Sequence, residues 1–221
     1  MPSPEPSPVT QFFDTQGEQR ALKSHTFLWK SGEAVETLYL VETGLLRLLN
    51  IRSDGTTTTL LGVGAGGLVG THPLLGVVET SAGAEALLSS QVRGVPIEVF
   101  RAWLDSPADS TTLEDLQAWL FSDLRRHLAD TYARLELAHA SASERLARVL
   151  LSLNALGLLA SARRQQLAEL ANLTVETTVR TLRIWEDEGI LSSRRLETLS
   201  VSEREALAAL LHNDNLTLPY S

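Results

Sequence analysis

No cysteine occurs anywhere in the 221 residues. Disulfides, thiolate-bound metals, cysteine-held iron–sulfur clusters and a cysteine nucleophile are thereby excluded. Nor does any stretch approach the roughly 18 uninterrupted apolar residues of a membrane-spanning helix. Residues 1–10, rich in proline and serine and carrying Glu5, lack the basic start and apolar run of a secretory signal. They read as a flexible tail, and a cytoplasmic chain without membrane association is the expectation. The marks of an enzyme are missing too: there is no framed carboxylate pair, nucleophile elbow or Gly-Lys phosphate cradle. His25, His127, His139 and His212 are scattered without metal-ligand spacing, so no metal site is expected.

What is present is ordinary for a globular protein, with 43% apolar and 21% charged residues, and the length allows two small domains. The formal charge of -8 is unevenly spread. Residues 1–140 carry ten Lys or Arg against seventeen Asp or Glu, a net of -7; residues 141–221 carry nine against ten, a net of -1. All nine of the later basic residues are arginines, and six of them fall between Arg163 and Arg195, where a basic face would be needed to meet a polyanion.

A long apolar repeat divides these halves. Leu113, Leu116, Leu120, Leu124, Leu128 and Leu135 recur at steps of three or four, with a gap at Thr131 and Tyr132 and no Gly or Pro in the run. This predicts a helix of about seven turns, roughly 40 Å long. Trp119, Phe121, Tyr132 and Leu137 lie off the leucine row, so a second side is apolar as well. Such a rod serves either as a spine pairing two chains or as a long helix inside one globule, and periodicity alone weighs these equally.

Before the spine, short apolar segments alternate with turn residues. Thr26–Trp29, Thr37–Glu42, Leu45–Arg52 and Thr57–Leu61 read as strands, with Asp54-Gly55 a hairpin turn between the last two. Glycines from Gly62 to Gly83 then mark bends among the apolar runs 74–78, 84–88 and 92–97, and strands so short and turn-rich suggest a small barrel or jelly roll. Residues 96–104 read as a short helix.

After the spine come helices at 141–156, 163–171 and 174–188, and a last one led by Ser202 through Leu211. Between the second and third lie only Asn172 and Leu173. Asn172 enters the left-handed region readily, Ala168 is small where helices must cross, Leu173 plugs the angle, and Thr174 can cap the next helix. Together these make a helix-turn-helix, whose second helix places its first residues against base edges in a major groove.

The stretch Gln165 to Leu182 with Trp185-Glu-Asp-Glu-Gly-Ile-Leu191 resembles the winged helix-turn-helix of the cyclic-AMP receptor protein and FNR family of bacterial transcription regulators. Lys30-Ser-Gly-Glu33, Leu38 to Gly44, Asp54-Gly55 and the turn Gly66 to Gly70 are similar to that family's sensor domain, in the same order along the chain. The resemblance covers about residues 12–211. It implies an α+β chain: a tail at 1–10, a cyclic-nucleotide-binding-like β-roll (jelly roll) at 11–110, a dimerisation helix at 111–140 and a winged helix-turn-helix at 141–221. It also implies a homodimer that binds double-stranded DNA at a pseudo-palindromic site and works with RNA polymerase.

Carried over by residue, the resemblance puts Glu176 and Arg180 where the family reads cytosine and guanine, and Arg183 at a phosphate. Thr174 and Thr177 fall at backbone contacts, and Arg194 and Arg195 in a wing between strand-like pieces 190–192 and 197–201. Val175 stands where a well-known member has a guanine-reading Arg, which implies an altered site preference, including tolerance of a thymine methyl. The plainer readings are a helix-dipole role for Glu176 and an i, i+4 ion pair between Glu176 and Arg180.

For the sensor, the family's cyclic-nucleotide pocket needs a Glu for ribose and an Arg for phosphate. Alignment through Gly70 puts Thr71 at the first position and offers only Thr80 or Ser81 at the second. An anion without a cationic partner is costly to desolvate, so cyclic AMP is expected to bind poorly and no cofactor is expected. His72 aligns with the haem-ligating His of a carbon-monoxide-sensing member, which also has a Pro at position 2, so a haem-based gas sensor is one alternative. A ligand-binding barrel whose helices contact protein rather than DNA is another.

Overall fold

A computed structural model describes residues 7–105 apart from 77–79 and 81, residues 114, 117–122, 124, 125, 128, 129 and 132 of the spine, and residues 140–211 apart from 194 and 195. The chain divides into two compact units, Met1–Ile51 with Leu61–Leu128, and Arg52–Leu60 with Ala129–Ser221.

The first unit begins with a helix, α1 (Pro8–Gln16), so the expected tail loses its residues 8–10. The physical reason is local. Ser7 caps the helix by accepting the Thr10 N–H at 3.2 Å, and Pro8 fits the first turn, where its missing N–H costs nothing. Val9, Phe12 and Phe13 then share one buried face. Composition marked this serine and proline as loop, whereas Ser-Pro is also a helix start.

Eight strands follow: β1 (Glu18–Leu22), β2 (Phe27–Trp29), β3 (Thr37–Thr43), β4 (Leu45–Ile51), β5 (Thr57–Gly64), β6 (Leu68–Val69), β7 (Gly83–Ala86) and β8 (Ser90–Pro96). They form two four-stranded sheets, in the orders β1-β8-β3-β6 and β2-β7-β4-β5, and with the helices that follow they make the expected α+β chain with a jelly roll first. Leu38 pairs with Val95 and Leu46 with Ala86 across antiparallel neighbours, all four buried. Two turns have visible causes. Gly55 takes φ +82, and the Asp54 carboxylate accepts the Thr56 N–H at 2.8 Å, closing the hairpin predicted from Asp-Gly. Gly44, at φ +87, lies so near Ser89 and Ser90 that a Cβ would stand 2.5 Å from the Ser89 carbonyl oxygen.

Between the sheets lie Leu38, Leu46, Val63, Leu68, Val92 and Val95, closed at one end by α1 and by α2 (Ile97–Asp105). Phe12 stacks on Trp103 with ring centroids 4.3 Å apart, and Phe13 meets Phe100 at 5.8 Å. Where an apolar run was noted at 74–78, His72–Leu75 forms a 3-10 turn ended by Gly76 at φ +81.

The described spine residues are helical. Trp119 and Leu120 are partly buried against the β-roll core, whereas Leu124 and Leu128 are exposed. Leu113, Leu116 and Leu135 lie outside the described residues.

The second unit holds α3 (Ala142–Ala155), α4 (Arg164–Ala171), α5 (Val175–Asp187) and α6 (Val201–Ala209). A reciprocal cap starts α3: Ser141 accepts the Glu144 N–H and Glu144 accepts the Ser141 N–H. Leu146, Leu150 and Leu153 of α3, Leu167 of α4, Leu182 and Trp185 of α5 and Leu207 of α6 form the core. Two expectations change here. The cap of α6 is Ser200, not Ser202, because Ser200 stands three residues before Glu203 and completes the same reciprocal box. Among the described residues, 190–192 and 197–201 form no strands. The Ile190 and Leu191 N–H groups return to the Trp185 carbonyl at 2.8 and 3.0 Å, and those of Ser192 and Leu199 donate to Glu203 and to Asn154 Oδ1 at 2.7 and 2.8 Å.

Candidate nucleic-acid interface

The bend between α4 and α5 follows from three residues. Asn172 sits in the left-handed region at φ 52 and ψ 48, ending α4. The Leu173 N–H then returns to the Ala168 carbonyl at 2.8 Å, and Ala168 is buried at the crossing. Thr174 caps α5 by accepting the Thr177 N–H at 3.1 Å. Asn172 is further held within the second unit by Thr59. The Thr59 N–H donates to Asn172 Oδ1 at 2.7 Å, and Asn172 Nδ2 donates to the Thr59 carbonyl at 3.1 Å. The Thr59 hydroxyl donates to the Glu169 carbonyl at 2.8 Å, and an Arg145 guanidinium N–H donates to the Asn172 carbonyl at 3.0 Å.

Helix α5 turns one side inward and one outward. Thr178, Thr181, Leu182 and Trp185 are buried, and the two threonine hydroxyls donate back to the carbonyls of Thr174 and Thr177. At about 100° per residue, Val175, Glu176, Val179, Arg180 and Arg183 fall within an arc of roughly 140° on the opposite side. All five are exposed. Neither Glu176 nor Arg180 makes a side-chain hydrogen bond or ion pair among the described residues, so the plain i, i+4 pairing is not formed there. Arg183 lies 4.0 Å from Asp187, both well exposed, a pair worth little in water. Thr174 donates its hydroxyl proton to Thr177 at 2.9 Å, which leaves the Thr177 proton as the one this pair directs elsewhere. Arg194 and Arg195 lie outside the described residues.

In the first unit the expected effector residues stand around the 3-10 turn. Gly70 takes φ +90, and a Cβ there would come within 2.8 Å of the Thr37 carbonyl. Thr71 precedes the turn without a side-chain cap bond. Thr80 accepts the Ala82 N–H at 3.1 Å, and Trp29 Nε1 donates to the Ala82 carbonyl at 3.0 Å. The His72 ring stands 6.2 Å from that of Trp29, and its buried Nε2 has no hydrogen-bond partner among the described residues. Burial pushes the imidazole pKa below its usual value, keeping it neutral at neutral pH. Ser81 lies outside the described residues.

Several functional-looking contacts had no signal in the sequence. Arg47 and Glu85 form a buried ion pair across β4 and β7, with Nε to Oε1 at 2.7 Å and His25 Nδ1 3.5 Å from the same oxygen. Val179, which drew no reading from the sequence, lies on the outward arc between Val175 and Arg183.

Comparisons with known proteins agree with this geometry. Residues 19–107 match the family described as cyclic nucleotide-binding domain, and residues 144–210 match the Crp-like helix-turn-helix domain. The chain is 32% identical over 183 residues to the cyclic AMP receptor protein of Thermus thermophilus, covering 81% of this chain and 80% of that protein. A solved transcriptional regulator of the CRP/FNR family, also from Thermus thermophilus, superposes with a TM-score of 0.66 at 25% identity, over 89% of this chain and 99% of that one. FixK2 from Bradyrhizobium japonicum shares the fold, with a TM-score of 0.69 at 23% identity over 88% and 96%. No described helix is long and apolar enough to cross a membrane. The two matched domains and the identity to a regulator along most of its length make this chain a member of the cyclic-AMP receptor protein and FNR family of transcription regulators, not an enzyme.

Proposed function

We propose that two copies of the chain pair through the spine and read a pseudo-palindromic duplex with Glu176 and Arg180. The observation that carries this reading is the outward arc of α5, where a carboxylate and a guanidinium one turn apart face solvent without intramolecular partners among the described residues. A guanidinium so placed donates to guanine O6 and N7, and the carboxylate accepts from a cytosine amino group. Phosphate contacts fall to Thr174, Thr177 and Arg183, and by resemblance to Arg194 and Arg195. Pairing is supported by Phe121, Leu124, Leu128 and Tyr132, spaced by three, four and four residues on helical backbone, with Phe121 and Tyr132 71% and 64% exposed. Two readers on such a spine enter major grooves about 34 Å apart. RNA polymerase is the protein partner implied by the family.

The test is Arg180→Ala measured on a duplex selected from random DNA. Specific affinity should fall by about 1 to 3 kcal/mol, with binding to a scrambled duplex unchanged. Equal affinity of wild type and variant on both duplexes would refute the reading, and would favour the protein-contacting alternative.

We further propose that cyclic AMP is not the effector. The relative's name makes it the first ligand to test, yet Thr71 and Thr80 supply hydroxyls where a carboxylate and a guanidinium are needed, and Thr80 is already bonded to Ala82. Titration calorimetry should show no saturable heat at micromolar concentrations; a stoichiometric isotherm would overturn this. One observation favours a haem reading instead: the neutral His72 imidazole offers an unpartnered Nε2, as an axial ligand requires. The other resembling position, Pro2, lies outside the described residues. A Soret band lost in His72→Ala would support haem, and its absence from protein grown with haem would end that reading.

A further inference from the structure

The outward arc of α5 is not purely polar. Val175 and Val179, one turn apart, are 46% and 42% exposed, side by side along one edge of the arc that carries Glu176, Arg180 and Arg183. Each valine leaves nearly half of its surface open on the side of α5 that faces away from the core residues Thr178, Thr181, Leu182 and Trp185. β-Branched residues also rank below Ala, Lys or Glu as helix formers, so these positions are not chosen for helix stability. Their chemistry fits one group on a base edge. The thymine 5-methyl is the apolar feature of the major-groove code, and small aliphatic side chains are its complement.

From this we infer that Val175 and Val179 form an apolar strip that reads thymine methyl groups in the half-site whose guanine is read by Arg180. The inference rests on the DNA-reading function proposed above and adds Val179 as a specificity-determining residue. The two side chains are separated by about 6 Å along the helix axis, on the order of two base-pair steps of ~3.4 Å. The half-site should therefore hold thymines within two steps of each other, flanking or interrupting the G·C pair bound by Glu176 and Arg180. Each methyl buried against a valine is worth about 0.8 kcal/mol, or roughly fourfold in affinity. Val175 alone would permit one such contact; the pair makes the half-site A·T-rich beside its G·C anchor.

The experiment exchanges one methyl on each partner. The full-length protein first selects its duplex from random DNA. Each thymine of a half-site is then replaced by deoxyuridine, which removes only the 5-methyl, and dissociation constants are measured by fluorescence anisotropy for wild type, Val175→Ala and Val179→Ala. The expected result is a loss of about fourfold at one or two thymines for the wild type. At the thymine facing Val179, the same exchange should cost Val179→Ala less than about 1.5-fold while still costing Val175→Ala the full amount. Since Ala favours helix, the variants keep the reader folded, and binding of each to the deoxyuridine duplex checks this directly. If no thymine exchange changes wild-type affinity, or if the cost is the same in both valine variants as in wild type, the inference is wrong although the protein still reads DNA. If wild type fails to distinguish the selected duplex from a scrambled one, the DNA-reading function itself is wrong and the inference falls with it.

Discussion

Glu203 is joined to Ser192 twice: its Oε1 accepts both the backbone N–H and the hydroxyl of Ser192, each at 2.7 Å. Its other oxygen accepts the Ser200 N–H at 2.7 Å. One carboxylate thus ties the start of α6 to the chain leaving α5. Burial alone would raise its pKa, but the Ser192 and Ser200 donors outweigh burial and hold it at about 2, against 4.5 for an unperturbed Glu. The folded value is the lower one, so the stabilisation is fully present above about pH 4.5 and is lost as pH falls towards 2. Glu203→Gln should lower stability by about 1 to 3 kcal/mol at pH 7 in urea unfolding, with the gap to wild type narrowing at pH 3. A gap independent of pH would mean that the charge is not what holds this joint.

The turn residue Asn172 combines a left-handed backbone with side-chain bonds to Thr59. Asn172→Gly keeps the backbone easy and loses the bonds; Asn172→Ala loses the bonds and adds left-handed strain. The alanine variant should therefore be the less stable by about 1 kcal/mol in thermal or urea melts. Equal stabilities would show that the turn relaxes out of the left-handed region.

Exposed apolar residues on the spine need a cover. Leu124→Arg should convert a dimeric species to a monomer in sedimentation equilibrium and, with it, reduce specific DNA affinity far more than non-specific affinity. A wild-type protein that is monomeric at micromolar concentration would remove the spine from the mechanism.

Arg47 and Glu85, both nearly inaccessible, form a pair whose value lies in being complete. Arg47→Met alone should destabilise the first unit by about 3 to 5 kcal/mol, because it leaves the Glu85 charge buried. Adding Glu85→Leu should recover most of that loss. A double variant no better than the single one would show that shape, not charge, governs this site.

What could be read from the sequence was whatever is decided within a few residues. The Asp54-Gly55 hairpin, the Asn172 turn and the Thr174 cap are set by local backbone preferences and bonds spanning two or three positions. The Ser141 cap belongs to the same class. The α6 cap was equally local, and the Ser200-to-Glu203 spacing carried it past the more obvious Ser202. Contacts between residues far apart in the chain left no such trace: Arg47 meets Glu85 over 38 positions and Leu199 meets Asn154 over 45. The missing wing strands are the clearest case. Their residue pattern suits a strand, but the Trp185 carbonyl takes the N–H groups of Ile190 and Leu191, and the Glu203 and Asn154 side chains take those of Ser192 and Leu199. In the reader, Glu176 and Arg180 stood out by charge, whereas Val179 became visible only when exposure separated the outward arc from the core.

The four tryptophans sit in four different surroundings. Trp29 stands beside His72, Trp103 lies under Phe12, Trp119 reaches from the spine onto the β-roll core, and Trp185 fills the middle of the second unit. The molecule therefore carries its own optical probes. Three Trp→Phe substitutions at a time would leave a single emitter whose colour and quenching report on the sensor, the spine or the reader, with no dye attached.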